Sequence, residues 1–156
     1  MQNNFLNIVL YEPEIPYNTG NIGRLCVGLN SKLHLIEPLG FKITDKMLKR
    51  AGLDYWDKLD LEIYSSLESF FEKNKNINFY FASTKAERSF YKAEFKKGDF
   101  LIFGKETGGL PDKFHTAYKN RGLTIPMSDK IRSINLCNSV AIFMYEAHRQ
   151  NFGKNE

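Results

Sequence analysis

The side chains that could do chemistry in this sequence gather in three polar stretches. They are Asn18-Thr-Gly-Asn-Ile-Gly-Arg24, Gly104-Lys-Glu-Thr-Gly-Gly-Leu-Pro111 and Ser128-Asp-Lys-Ile-Arg-Ser-Ile-Asn135. Glu106 is the one carboxylate inside the glycine turn, where it could bind a nearby backbone amide or arginine. Gly104 would let a ligand approach the main chain, and Gly108-Gly109 would allow a sharp turn. The spacing is neither G-x-G-x-x-G after the first strand nor G-x-x-x-x-G-K-S/T, which argues against dinucleotide and P-loop sites. His115 and His148 fall in helical patterns without a glycine-framed nucleophile, so no Ser-His-Asp order emerges. Two cysteines and three scattered histidines make no zinc site, and His34, flanked by apolar residues, reads as a structural imidazole. Loops rich in Asn, Ser, Arg and Gly remain, and they suit cofactor binding and phosphodiester recognition better than hydrolysis.

The elements around these loops follow from periodicity. Apolar, β-branched and aromatic runs predict strands at 5–11, 32–37, 61–64, 78–82 and 100–103, and a further apolar run from Leu123 to Met127 is broken by Pro126. A helix capped by Asn18 or Thr19 would carry Ile22, Leu25, Cys26 and Leu29 on one face. A short helix from Ser65 or Ser66 runs through Phe71. Leu136, Val140, Phe143, Met144 and Ala147 recur at helical spacing, with Ser133 as the expected N-cap. Strands alternating with helices predict an α/β fold with a mainly parallel sheet and helices on both faces. Ligands would then sit beyond the carboxyl ends of strands, in the loops after Ala82, Phe103 and Met127. Arg24, in the early turns of its helix, reads from the residues alone as a solvated surface arginine.

With 156 residues, 42% of them hydrophobic and 26% charged, the chain has the composition of an ordinary globular protein, and we expect one domain over 1–156. Its net charge of +4 leans towards anionic partners. A short basic helix carrying Lys46, Lys49 and Arg50 leads into Tyr55 and Trp56. These could track an RNA backbone and stack bases, or form a solvated face with the aromatics in the core. Cys26 and Cys137 are too few and too distant for a disulfide framework, which suggests a reducing cytoplasm. No apolar run approaches the roughly 20 residues of a membrane span, so no membrane partner is expected.

Asn18-Thr-Gly-Asn-Ile-Gly-Arg24, Phe103-Gly-Lys-Glu-Thr-Gly-Gly-Leu110 and Ile125-Pro-Met with Arg132-Ser-Ile-Asn-Leu-Cys-Asn-Ser-Val140 resemble the three motifs of SPOUT-class RNA methyltransferases. Leu6-Asn-Ile-Val-Leu-Tyr-Glu-Pro13 and Arg50-Ala-Gly-Leu-Asp-Tyr55 narrow the resemblance to the small tRNA (cytidine/uridine-34-2′-O)-methyltransferases, which have no extra RNA-binding domain. It extends from about Leu6 to Arg149 and departs at Gly28-Leu-Asn-Ser31, where the family often shows a Thr-Gly-aromatic turn. The resemblance implies a C-terminal deep trefoil knot, a homodimer, and transfer of a methyl group to a tRNA wobble ribose in the anticodon loop. The methyl would come from S-adenosylmethionine, leaving S-adenosylhomocysteine, with no metal.

By position, the cofactor would meet Ala82, Gly104, Ile125 and Met127, with Ser133 and Leu136 nearby. Arg24, supplied by the partner subunit, would activate the 2′-hydroxyl or clamp the adjacent phosphate, while Asn18, Glu106, Ser133 and Asn135 position the substrate. The faces Ile22/Leu25/Leu29 and Val140/Phe143/Met144 would suit dimer packing. Methylation of another RNA position, or an RNA-binding module without catalysis, are the alternatives.

Overall fold

Short, nearly uninterrupted apolar runs such as Phe100-Leu-Ile-Phe103 hide both faces of a strand only when helices cover the sheet on each side. That is the arrangement found in a computed structural model of the chain, which describes residues 3–44, 46 and 55–153. Strands β1 (Asn7–Tyr11), β2 (Lys32–Ile36), β3 (Leu61–Tyr64), β4 (Phe79–Ala82), β5 (Phe100–Phe103) and β6 (Gly122–Leu123) form one sheet in the order β3-β2-β1-β5-β4-β6. Every pairing is parallel. Helices α1 (Pro16–Gly28), α2 (Leu67–Lys73), α3 (Asp112–Ala117) and α4 (Leu136–Phe152) complete the described elements used below.

The sheet separates two cores. On one face Ile22 and Cys26 of α1 meet Val140, Phe143, Met144 and Ala147 of α4 over Ile8, Leu10, Leu101 and Phe103. On the other, Phe70 of α2 and Phe114 of α3 pack on Val9, Phe79, Phe81 and Ile102 in a largely aromatic layer. The apolar stripes of α1 and α4 therefore face inward. Ile22, Val140, Phe143 and Met144 are buried within one chain, so these side chains are not the dimer surface that the sequence suggested.

Helix α4 is held from two sides. Phe143 touches Phe103 of the sheet at 5.5 Å between centroids and Phe90 of the β4–β5 crossover at 5.2 Å. Near its end, Gln150 accepts from the Phe95 amide at 2.9 Å and donates to the Ala93 carbonyl at 3.0 Å. Asn151 donates to the Phe95 carbonyl. To reach this place from edge strand β6, the chain crosses the carboxyl ends of β4 and β5. Helix α4 thus packs against the 83–99 crossover as well as against the sheet.

Several boundaries differ from expectation. The run 123–127 is not a full strand: β6 stops at Leu123, Thr124 makes one bridge to Ser89, and residues 125–128 carry no regular structure. Pro126 cannot donate to a ladder. Helix α1 begins at Pro16, ahead of the expected caps Asn18 and Thr19, which are buried inside it. Proline suits the first helical position, where its missing N–H would have been unpaired anyway. Helix α4 is capped by Asn135, which accepts from the Asn138 amide at 3.2 Å, rather than by Ser133. At the turn where the resemblance departs, Asn30 takes a left-handed φ of 46°, which asparagine tolerates better than most residues. The basic helix expected around Lys46, Lys49 and Arg50 lies mostly outside the described residues.

His34 sits under the sheet face with both ring nitrogens engaged. Nε2 faces Asn7 Oδ1 at 3.0 Å, an acceptor, so it carries the hydrogen, and Nδ1 accepts from the Tyr64 hydroxyl at 3.0 Å. Burial, aided by the Lys32 charge, lowers its pKa to about 4. The unfolded chain therefore binds a proton here below pH ~6.5 that the folded chain refuses. Stability from this group is complete above pH ~6.5 and is lost as pH falls towards 4, by up to roughly 3 kcal/mol. Thermal melts of His34→Met should show a lower midpoint at pH 7 but a shallower decline between pH 6.5 and 4 than the native chain. Parallel curves would contradict this assignment.

Candidate active site

The carboxyl ends of β4, β5 and β6 and the starts of α1 and α4 converge on a cleft of about 790 Å3. Its floor is apolar, with Phe103, Leu110, Leu123, Ile125, Leu136 and Phe143, and its rim is polar. A pocket of this volume and lining fits one bound organic molecule.

Glu106 organises the rim. Its carboxylate accepts from the Glu14 amide at 2.8 Å, the Ile15 amide at 3.1 Å and Asn18 Nδ2 at 3.2 Å. Ile15 is the N-cap of α1 and has no side-chain cap of its own. The carboxylate of the β5 loop thus takes over a capping duty and lies at the positive end of the helix dipole. The contact is reciprocal, since Glu14 accepts from the Thr107 amide at 3.1 Å and the Thr107 hydroxyl at 2.8 Å. Asn18 passes the connection on, accepting from Asn135 Nδ2 at 3.2 Å, while Asn135 Oδ1 caps α4. One chain of bonds therefore ties the β5 loop to the first turns of both helices.

The glycine turn has its own cause. A Cβ on Gly104 would stand 2.2 Å from the Gly109 carbonyl carbon, so this glycine is needed for the loop to close on itself, not for a ligand to approach. Gly109 has a φ of +64°, open to glycine at little cost.

The expected cofactor residues Ala82, Gly104, Ile125, Met127, Ser133 and Leu136 all line this one cleft, as do Asn18, Glu106 and Asn135. Arg24 does not. It is exposed further along α1, with its guanidinium carbon 6.0 Å from the centroid of the Tyr55 ring.

Tyr55 corrects an expectation. It is 5% exposed, its hydroxyl donates to the Gly20 carbonyl, and its ring lies where a Cβ on Gly23 would be 3.4 Å away. It packs beneath α1 and offers no free face for a base. Trp56 is half-buried beside it, Lys46 is exposed, and Lys49 and Arg50 lie outside the described residues.

Ser83 and His115 also line the cleft; the sequence reading set His115 aside and did not single out Ser83. His115 Nδ1 faces the Pro111 carbonyl at 3.1 Å and so carries the hydrogen, leaving Nε2 to accept from the Ser83 hydroxyl at 2.8 Å. Ser83 was findable as the residue at the end of β4, but its partner 32 positions away was not. Among the described residues, no group of three or more His, Cys, Asp or Glu side chains could hold a metal ion.

Residues 5–145 match the SpoU rRNA Methylase family. A protein of Listeria innocua, provisionally named a tRNA (cytidine(34)-2′-O)-methyltransferase, is 55% identical over 152 residues, which cover 94% of this chain and 89% of its own. The tRNA (cytidine(34)-2′-O)-methyltransferase of Aeromonas hydrophila is 45% identical over 146 residues, covering 93% and 94%. A solved structure described as giving insight into 2-OH methylation of C/U34 on tRNA superimposes with a TM-score of 0.92 at 43% identity, covering 97% of this chain and 99% of its own.

The bonding of Glu106 predicts a capping role. Glu106→Ala should cost about 1–3 kcal/mol, the range for a lost helix cap with charge-assisted bonds. Glu106→Gln, which keeps one acceptor oxygen, should cost less. Denaturant melts check both. Unchanged midpoints in both variants would mean that Glu106 serves only the ligand.

Proposed function

This chain belongs to the SpoU rRNA Methylase family, and we propose that within it the chain is an S-adenosylmethionine-dependent tRNA 2′-O-methyltransferase. The acceptor is the ribose 2′-hydroxyl of nucleotide 34, a cytidine or modified uridine in the anticodon loop. The observation that carries this reading is the near full-length likeness to the C/U34 structure, with a TM-score of 0.92. The substrate follows that likeness and the full-length relatives rather than the family's broader rRNA name.

The cleft fits S-adenosylmethionine by its donor set. Adenine needs apolar walls and main-chain hydrogen bonds, and Leu123, Ile125 and Leu136 beside the open loops at Ala82, Gly104 and Met127 supply both. When bound, this cofactor supplies a methyl group already activated on a sulfonium, so the transfer asks for no metal. The protein must then align a ribose oxygen in line with that methyl and help remove the hydroxyl proton. Asn18 and Asn135, fixed to each other and to Glu106, present oriented amides at the rim. Ser133 and Arg132 are exposed beside them on the loop that enters α4.

Arg24 completes the site from a second copy of the chain. It lies exposed beside Tyr55 and does not line its own cleft, which suits a residue that serves a neighbour. A guanidinium stays charged in ordinary surroundings, so we assign it to clamping the phosphate beside the target ribose and stabilising the developing alkoxide. The second copy docks on the outer faces of α1 and α4, where Tyr17 and Tyr145 are exposed. Among the described residues no helix is long and apolar enough to cross a membrane. The proposed tRNA substrate, recognised by this chain and its second copy, leads us to place the reaction in the cytoplasm.

Purified protein with tritiated S-adenosylmethionine and cytidine-34 tRNA transcripts tests this reading. Arg24→Ala should leave cofactor binding by calorimetry intact while transfer falls at least roughly a hundredfold. Dimers pairing an Arg24→Ala chain with a Ser133→Ala chain should keep one working site. Complete inactivity of those dimers would contradict sharing between subunits. RNA binding without transfer would favour a non-catalytic module, and transfer elsewhere in RNA would overturn the position.

A further inference from the structure

Burial of Tyr55, with Trp56 half-buried beside it, removes the most direct candidate for holding an unstacked base, and the fold offers a more open aromatic elsewhere. In the β4–β5 crossover, residues Phe90–Lys92 form a single 3₁₀ turn capped by Ser89, whose hydroxyl accepts from the Tyr91 amide at 3.3 Å. Tyr91 is the most exposed large hydrophobic side chain described, at 66%. Its ring leans on Phe90 with centroids 4.4 Å apart and planes 34° apart. Phe90 is itself locked against Phe143 of α4. One face of the tyrosine is therefore backed by the core and the other is open to solvent.

Cations flank it. Arg88 is braced by a 2.8 Å bond to the Lys92 carbonyl, and both Arg88 and Lys92 are exposed. Neither is in an ion pair among the described residues. From Lys85 to Lys97 the segment carries five cations and two carboxylates.

The turn is also tied to the cleft. The Phe90 amide donates to the Thr124 carbonyl at 3.0 Å, and the Thr124 amide to the Arg88 carbonyl at 2.8 Å. Thr124 lines the cleft wall.

We infer that the Arg88–Lys92 turn is an RNA-binding platform on which Tyr91 stacks one unpaired base next to the target nucleotide, while Arg88 and Lys92 hold the flanking phosphates. A rigid aromatic between unpaired cations suits single-stranded RNA, whose bases expose a π-face, and not a duplex, whose bases are already stacked. The inference rests on the proposed tRNA reaction for its substrate, but its binding claim can be tested separately.

The experiment measures affinity of the full chain for a fluorescein-labelled anticodon stem–loop transcript by anisotropy, alongside methyl transfer to the same RNA. Tyr91→Ala should raise Kd roughly 5- to 150-fold, the range for one lost base stack. Tyr91→Phe should bind nearly as the native chain does. Lys92→Ala should reduce the slope of log K against log salt by about 0.7. S-adenosylmethionine affinity and thermal midpoint should be unchanged in all three. If the native chain methylates the transcript and Tyr91→Ala binds it equally well, the platform is wrong and the reaction stands. If Tyr91-dependent binding occurs without transfer, the reaction is wrong and the platform stands. Failure of the native chain to bind any RNA would overturn the platform.

Discussion

A single carboxylate holds the three loops of the cleft in one piece. Glu106 reaches from the loop after β5 to the amides that open α1 and to Asn18, and Asn18 holds Asn135 at the start of α4. These segments are far apart in sequence, and hydrogen bonds join them at the rim. Polar bonding therefore helps to set the geometry, and the positive end of α1 beside the Glu106 carboxylate makes that bonding favourable. Glu106 thus acts upstream of chemistry: it determines where the asparagine amides sit.

Below this rim the two cores divide the labour. The aromatic layer under α2 and α3 anchors the sheet, whereas α4 is gripped between sheet, α1 and crossover. Helix α4 cannot leave the sheet without also breaking its bonds to the crossover. The loops that line the cleft follow the strands β4, β5 and β6 that this packing holds together. Arg88–Lys92 lies on that crossover, so a surface proposed for RNA and a wall proposed for the cofactor share one rigid segment.

Much of this was legible in the sequence, for identifiable reasons. β3 and β5 are readable to the residue because their apolar runs end abruptly at polar or glycine neighbours. The nine cleft residues named from the motifs come together in one place because each motif sits at a strand end. Other features needed the third dimension. Pro16 signals the start of α1, but the cap it requires comes from Glu106, 90 positions away. Tyr55 has the neighbours of an RNA contact and the environment of a packing residue, and only its place beneath Gly20 and Gly23 separates the two. The stripes on α1 and α4 are apolar enough to suggest a dimer face, yet they satisfy each other.

The central claim is a methyl group on one particular ribose. Mass spectrometry of nuclease-digested tRNA from cells with and without this protein measures it directly. The account predicts that 2′-O-methylation disappears from nucleotide 34 of a subset of tRNAs and returns when the native gene is restored. Loss of the modification at another tRNA position or in ribosomal RNA, or no loss anywhere, would contradict it.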